Sequence, residues 1–154
     1  MKKKLIIACI CIFALAICIV PFPKRVCVEA EGSKLSPAGE SLADITVTAD
    51  GWLLNYLFRK DILKVTVAIK ETHTGNITTT ETIGPIYRYD NGLQQVTISG
   101  FDSEGNRISF RNFWYTQGYQ ALLVTDASDN IYVASADGQV SVEILWDTYG
   151  PFVK

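Results

Sequence analysis

Cysteine is missing from residues 28–154; the four in the chain are Cys9, Cys11, Cys18 and Cys27. The body of the chain therefore has no intramolecular disulfide, no thiolate ligand for zinc and no cysteine nucleophile. Histidine is almost as scarce. His73 stands alone in the polar stretch Thr72-His73-Thr74-Gly75. One imidazole does not make a typical zinc or copper site. A Ser-His-Asp relay would have to run through it, and no Gly-x-Ser-x-Gly elbow is present to serve one. No metal, no cofactor and no catalytic residue is expected, and the chain reads as a non-enzyme. Positive charge is short too: from Glu31 onward nine basic residues face fifteen acidic ones. Such a surface repels phosphate backbones, which argues against nucleic-acid binding. It offers no polybasic patch for anionic lipid, so membrane contact is expected only through the N-terminal segment.

That segment is the clearest signal in the chain. Lys2, Lys3 and Lys4 precede residues 5–20, an uncharged and almost wholly apolar run that ends at Pro21 and Pro23, with Lys24 and Arg25 behind. Sixteen residues make a helix of about 24 Å. This is long for a secretory signal and short for a membrane anchor, which wants about 20 residues. Val28-Glu29-Ala30 supplies a peptidase site with a cut before Glu31. Residues 1–30 are thus read as a signal peptide, with an uncleaved anchor, N-terminus inside, as the alternative. Either reading exports the C-terminal part of the chain. Absent disulfides and the short Lys-rich start suggest a bacterial exported protein. A lipidation motif fits poorly: Cys9 in Ile6-Ile7-Ala8-Cys9 lies too early in the run, and Cys18 follows Ile17 where a small residue is needed.

Residues 31–43 are small, polar and contain Pro37 and Gly39, the composition of a flexible leader. Residues 44–154 read as one all-β extracytoplasmic domain. Ile45 and Val47 alternate with Thr46 and Thr48. Val65, Val67 and Ile69 alternate with Lys64, Thr66 and Lys70. Val96 and Ile98, Ile108 and Phe110, and Val140, Val142, Ile144 and Trp146 continue the period of two that marks half-buried strands. Asp50-Gly51, Asn91-Gly92 and Asp137-Gly138 are hairpin-turn dipeptides. Gly84-Pro85 marks a sheet edge or a change of sheet. Residues 52–60 fit a strand, or a short helix with Leu53, Leu54, Leu57 and Phe58 on one stripe. The expected architecture is an antiparallel β-sandwich of immunoglobulin-like type or a small β-barrel. Residues 96–110, two alternating runs around Asp102-Ser103-Glu104-Gly105-Asn106, resemble hairpins of bacterial immunoglobulin-like extracellular domains. This favours the sandwich and implies no function.

Chemistry has few places to reside. Carboxylate pairs of the kind used in glycoside hydrolysis could be drawn from many acids, most of them at turns where Asp caps its own backbone. Asp126, Ser128, Asp129 and Asn130 cluster oxygens without the spacing of a calcium loop. The densest feature is aromatic. Phe110, Phe113, Trp114, Tyr115 and Tyr119 are mixed with Asn112, Gln117 and Gln120. Strict alternation cannot put Phe113, Trp114 and Tyr115 on one face, so at least one points outward or fills a second core layer. Trp114, Tyr115, Tyr119, Asn112 and Gln117 are the candidate ligand contacts. The sequence thus suggests a non-catalytic exported interaction or structural module. A carbohydrate-binding module is the alternative and a carboxylate-pair hydrolase a more distant one. The partner is left open between a cell-surface protein and a glycan.

Overall fold

The structure, a computed structural model, describes residues 6, 7, 9, 10, 19–98, 110–126, 128–136, 138 and 140–153. Its nine strands are β1 (Phe22–Leu35), β2 (Ser41–Asn55), β3 (Ile62–Glu71), β4 (Ile77–Pro85), β5 (Tyr87–Arg88), β6 (Leu93–Thr97), β7 (Phe110–Thr116), β8 (Ala121–Asp126) and β9 (Ile131–Ser135). One helix, α1 (Val142–Val153), comes after them. The strands form a single antiparallel sheet in the order β4-β3-β2-β1-β9-β8-β7-β6-β5. It curls until its two ends almost meet. A side chain at Gly84 in β4 would come within 3.2 Å of Val96 Cγ1 in β6. The all-β expectation holds. The architecture is one sheet close to a barrel, and not two sheets face to face.

The alternating runs explain the interior. Val26, Ala30, Ile45, Val47, Ala49, Val65, Val67 and Ile69 point inward and join Phe110, Phe113, Tyr115, Leu122 and Val124 from the other half of the sheet. Asn91-Gly92 makes its turn, with Gly92 at φ 83° and the Leu93 amide donating to Asn91 Oδ1 at 3.1 Å. Pro85 closes the edge strand β4, where a missing N–H costs nothing.

Four expectations differ from the structure. Residues 31–43 are not a loose leader. Glu31–Leu35 complete β1, Ser41 begins β2, and the turn between them is pinned by Ser36 Oγ, which accepts from the Ala38 and Glu40 amides. The register of β1 on β2 starts at Phe22↔Asn55, so residues 22–30, upstream of the expected cut, belong to the sheet. Asp50-Gly51 is no turn. It lies inside β2, where a Cβ at Gly51 would sit 2.1 Å from the Lys64 carbonyl oxygen; glycine is there for close strand approach. Residues 52–60 divide into the end of β2 and a loop.

The fourth difference is the largest. Residues 140–146, expected as a last strand after an Asp137-Gly138 hairpin, lead into a helix. Val142, Leu145, Trp146, Tyr149 and Val153 recur at helical spacing and pack as one stripe on the sheet's outer face. Ser141 starts the helix, its Oγ accepting from the Ile144 amide at 3.3 Å. The helix creates a second core. Leu35, Trp114, Ala121, Leu123, Ile131 and Val133 lie between it and the outer face of β1 and β7–β9. The loop expected at residues 102–106, and most of the immunoglobulin-like hairpin, lie outside the described residues. Among those residues, no helix is long and apolar enough to cross a membrane.

Candidate functional site

The chemistry-bearing side chains gather where α1 meets β7 and β8. β7 pairs with β8 through Asn112↔Thr125 and Trp114↔Leu123, after a bulge between Phe110 and Asn112. The bulge adds one residue to one strand and resets the facing. It lets Phe110 and Phe113 both face the interior, while Trp114 faces the helix. Trp114 is thus the aromatic that fills the second core layer.

Between that outer face and the end of α1 is a cavity of about 490 Å³, with Arg111, Asn112, Trp114, Thr125, Asp129 and Phe152 among its lining residues. This is within the usual size of small-molecule sites, about 300–1,000 Å³. Trp114 is 6% exposed and Thr125 7% exposed. The Trp114 indole N–H and the Thr125 hydroxyl are both buried without a hydrogen-bond partner. A buried donor left unpaired costs about 1–3 kcal/mol, and both belong to residues that line this cavity, the two atoms themselves being covered. Arg111 donates to Asp129 Oδ1 at 2.7 Å; both side chains are more than half exposed and stand at the mouth. Asn112 Oδ1 accepts from Gln95 Nε2 at 2.8 Å, which fixes the amide. The Tyr89 ring packs on the indole with centroids 5.4 Å apart.

The other sequence candidates lie elsewhere. Tyr115 and Tyr119 stack inside the curled sheet at 4.9 Å and 12°. Burial raises both phenols, Tyr119 to about 12. Neither hydroxyl has a partner. Gln117 is exposed at the start of a 3₁₀ turn, Gln117–Tyr119. Asn112 and Trp114 are thus brought to one cavity, Tyr115 and Tyr119 face the opposite side of the sheet, and Gln117 faces water. No single aromatic platform is formed from the five.

The oxygen cluster at the β8–β9 loop caps itself. Asp126 Oδ1 accepts from the Ser128 and Asn130 amides at 2.8 and 2.9 Å, and its Oδ2 from Asn130 Nδ2 at 2.9 Å and Tyr132 Oη at 3.3 Å. Among the described residues, no group of three or more carboxylate, histidine or cysteine side chains is placed to hold a metal ion. His73 is exposed, its Nε2 3.8 Å from Asp44 Oδ2. Thr125 and Arg111 do not stand out as site residues in the sequence, and Asp129 does so only within the oxygen cluster of residues 126–130. The outward pair Asn112 and Trp114 points to Thr125 only once the β7–β8 register is known. Compared with known proteins, the chain matches no family model, no curated protein and no solved structure.

Proposed function

We propose that this chain is a non-catalytic extracytoplasmic binding domain, and that its ligand is a small polyhydroxylated molecule such as a single sugar unit. The observation that carries the reading is the pair of unpartnered buried donors, Trp114 Nε1–H and Thr125 Oγ1–H, on two residues that line one cavity. Sugar hydroxyls both donate and accept, and the cavity offers both functions. Trp114 and Arg111 are donors only, Asp129 is an acceptor, and Thr125 is either. The Trp114 ring is covered and leaves no open face for stacking, so a ligand would meet the indole N–H by displacing what covers it. Asp129 is the carboxylate on the lining, already paired with Arg111, so nothing in the cavity favours a carboxylate-pair hydrolase. Export rests on the lysine-led apolar run of residues 5–20.

A glycan array and titration calorimetry with the wild type and Thr125→Val test the proposal. Valine keeps the shape of threonine and removes the hydroxyl, so the fold is retained. Saccharide binding that falls at least about tenfold, the worth of roughly 1.4 kcal/mol, is the expected result. Undiminished binding by Thr125→Val would remove this cavity as the site.

A further inference from the structure

A second surface lies at the opposite end of the long strands. β1 starts at Phe22 beside Asn55, whose Nδ2 donates to the Phe22 carbonyl at 3.2 Å. The loop at residues 56–61 leaves from that point. Its tip carries Leu57 and Phe58, 56% and 76% exposed, and Phe22 beside it is also exposed. Two large apolar side chains held in water are costly, and this loop is held. Asp61, nearly buried, closes it: Oδ1 accepts from the Tyr56 amide at 2.9 Å, Oδ2 pairs with Arg88, and its carbonyl accepts from the Ile86 amide. Asp61 thus fixes the base of the loop, and Leu57 and Phe58 at its tip stand exposed.

Cations and aromatic rings surround the tip. The Arg59 guanidinium lies 3.6 Å from the Tyr56 ring centroid, and Lys60 Nζ lies 4.2 Å from that of Tyr87. Lys24 adds positive charge, while Arg88 is paired with Asp61 and the exposed Asp90 follows in the next turn. The far end differs: Glu40, Asp44, Glu71, Asp126 and Asp129 gather there with Lys34, Lys70, His73 and Arg111. An apolar tip, flanking tyrosines and a collar of Lys and Arg are the composition of a segment seated in a membrane interface. The apolar run of residues 5–20 ends two residues before β1, at this same end of the sheet. Retained in a bilayer, that run would place this end of the sheet nearest the lipid.

From this juxtaposition we infer that the loop at residues 56–61 docks into the lipid interface, with Leu57 and Phe58 inserted and Arg59, Lys60 and Lys24 against anionic headgroups. The inference goes beyond the ligand cavity and rests on residues 5–20 being retained as an anchor. The probe is the full chain reconstituted in vesicles of phosphatidylcholine and phosphatidylglycerol, with and without bromine on the acyl chains. Flotation with the vesicles reports the anchor. Phe58→Trp reports the loop, and His73→Trp, on the far β3–β4 turn, is the control. Both sit on the same background of Trp52, Trp114 and Trp146. The expected result is a loss of emission in brominated vesicles for Phe58→Trp beyond wild type, none for His73→Trp, and a smaller loss when Arg59→Glu and Lys60→Glu are added. Circular dichroism establishes that this triple variant is folded, and the Phe58→Trp and His73→Trp pair decides the matter alone if it is not. Failure to float would overturn the anchor and the docking together. Flotation with equal quenching of the two single variants would overturn the docking alone. Self-association lost in Phe58→Ser would then identify a second copy as the occupant.

Discussion

Two halves of one sheet obey different rules. Residues 45–49 of β2 and 63–69 of β3 alternate strictly between buried and accessible positions, whereas all the residues of β8 and β9 are buried. The first half is covered on one face and turns Thr46, Thr48, Thr66 and Thr79 to the outside. The second half is covered on both, by the curled interior and by α1. The difference shows in the residues. Ala121-Leu122-Leu123-Val124 and Ile131-Tyr132-Val133-Ala134 are continuous apolar runs, the signature of strands without a wet face. The candidate cavity lies in the doubly covered half, at the edge of the covering helix. The proposed lipid-facing loop belongs to the singly covered half.

The largest effect is expected where β1 joins the halves. β1 pairs with β2 along its whole length and with β9 through Glu31–Leu35. A chain beginning at Glu31 would lose Val26 and Ala30 from the interior and most of the β1–β2 ladder. Complete loss of cooperative unfolding is the expected outcome, measured by circular dichroism during a urea titration. A cooperative melt like that of a chain beginning at Pro21 would show that β1 is dispensable, and would restore a cut before Glu31.

A smaller effect tests the two-sided burial directly. Leu123 is fully buried between β8 and the helix stripe, and Thr79 lies exposed on the outer face of β4. Leu123→Ala should cost about 2–5 kcal/mol, and Thr79→Ala no more than about 0.5 kcal/mol. Chemical denaturation of both variants gives the comparison. A loss below about 1 kcal/mol for Leu123→Ala, well under the range for a buried leucine, would mean that α1 does not cover that face in solution.

The halves also differ in how legible they are in the sequence. β2 and β3 announce themselves because one wet face imposes alternation. Residues 22–30 alternate as well, Val26, Val28 and Ala30 against Arg25, Cys27 and Glu29, but they adjoin the apolar run and read as the tail of an export signal. Residues 140–146 satisfy two periods at once. Val140, Val142 and Ile144 fit a strand, and only Tyr149 and Val153, seven and eleven positions after Val142, decide for a helix. Asp50-Gly51 carries a turn signature, yet glycine there answers to the nearby Lys64 carbonyl, which is invisible in one dimension. Of the candidate site, Asn112 and Trp114 can be named from local crowding. Thr125 and Asp129 come from β8 and its loop, and Phe152 from a helix whose first turn mimics a strand. Leu57 and Phe58 read as apolar residues of a strand or helix stripe. Exposure at a loop tip depends on where β2 ends, which its sequence does not mark.

The smallest effect concerns the interior, where hydroxyls are buried without partners. Thr80, Thr82, Tyr115 and Tyr119 each place one there. Tyr115 is stacked between Phe113 and Tyr119, so its ring is well used and its oxygen is not. Tyr115→Phe keeps the ring and removes the oxygen. It should stabilise the fold by about 1 kcal/mol at neutral pH, the reverse of the usual effect of a core substitution. The pH dependence comes from the same burial. Desolvation raises the folded pKa of Tyr115, with a further push from Tyr119, while in the unfolded chain it titrates near its ordinary value of about 10. Above that pH the unfolded chain releases the proton and the folded one keeps it, so stability falls as pH rises. Tyr119, raised to about 12, adds to the same limb. Burial raises Tyr132 as well, so Tyr115→Phe deletes one of three shares. The stability gap between variant and wild type should therefore be larger at pH 10.5 than at pH 7, by urea denaturation at the two values. A gap that stays constant, or a variant less stable than wild type at pH 7, would mean that the Tyr115 hydroxyl is solvated or paired in solution and that the interior is open to water beside it.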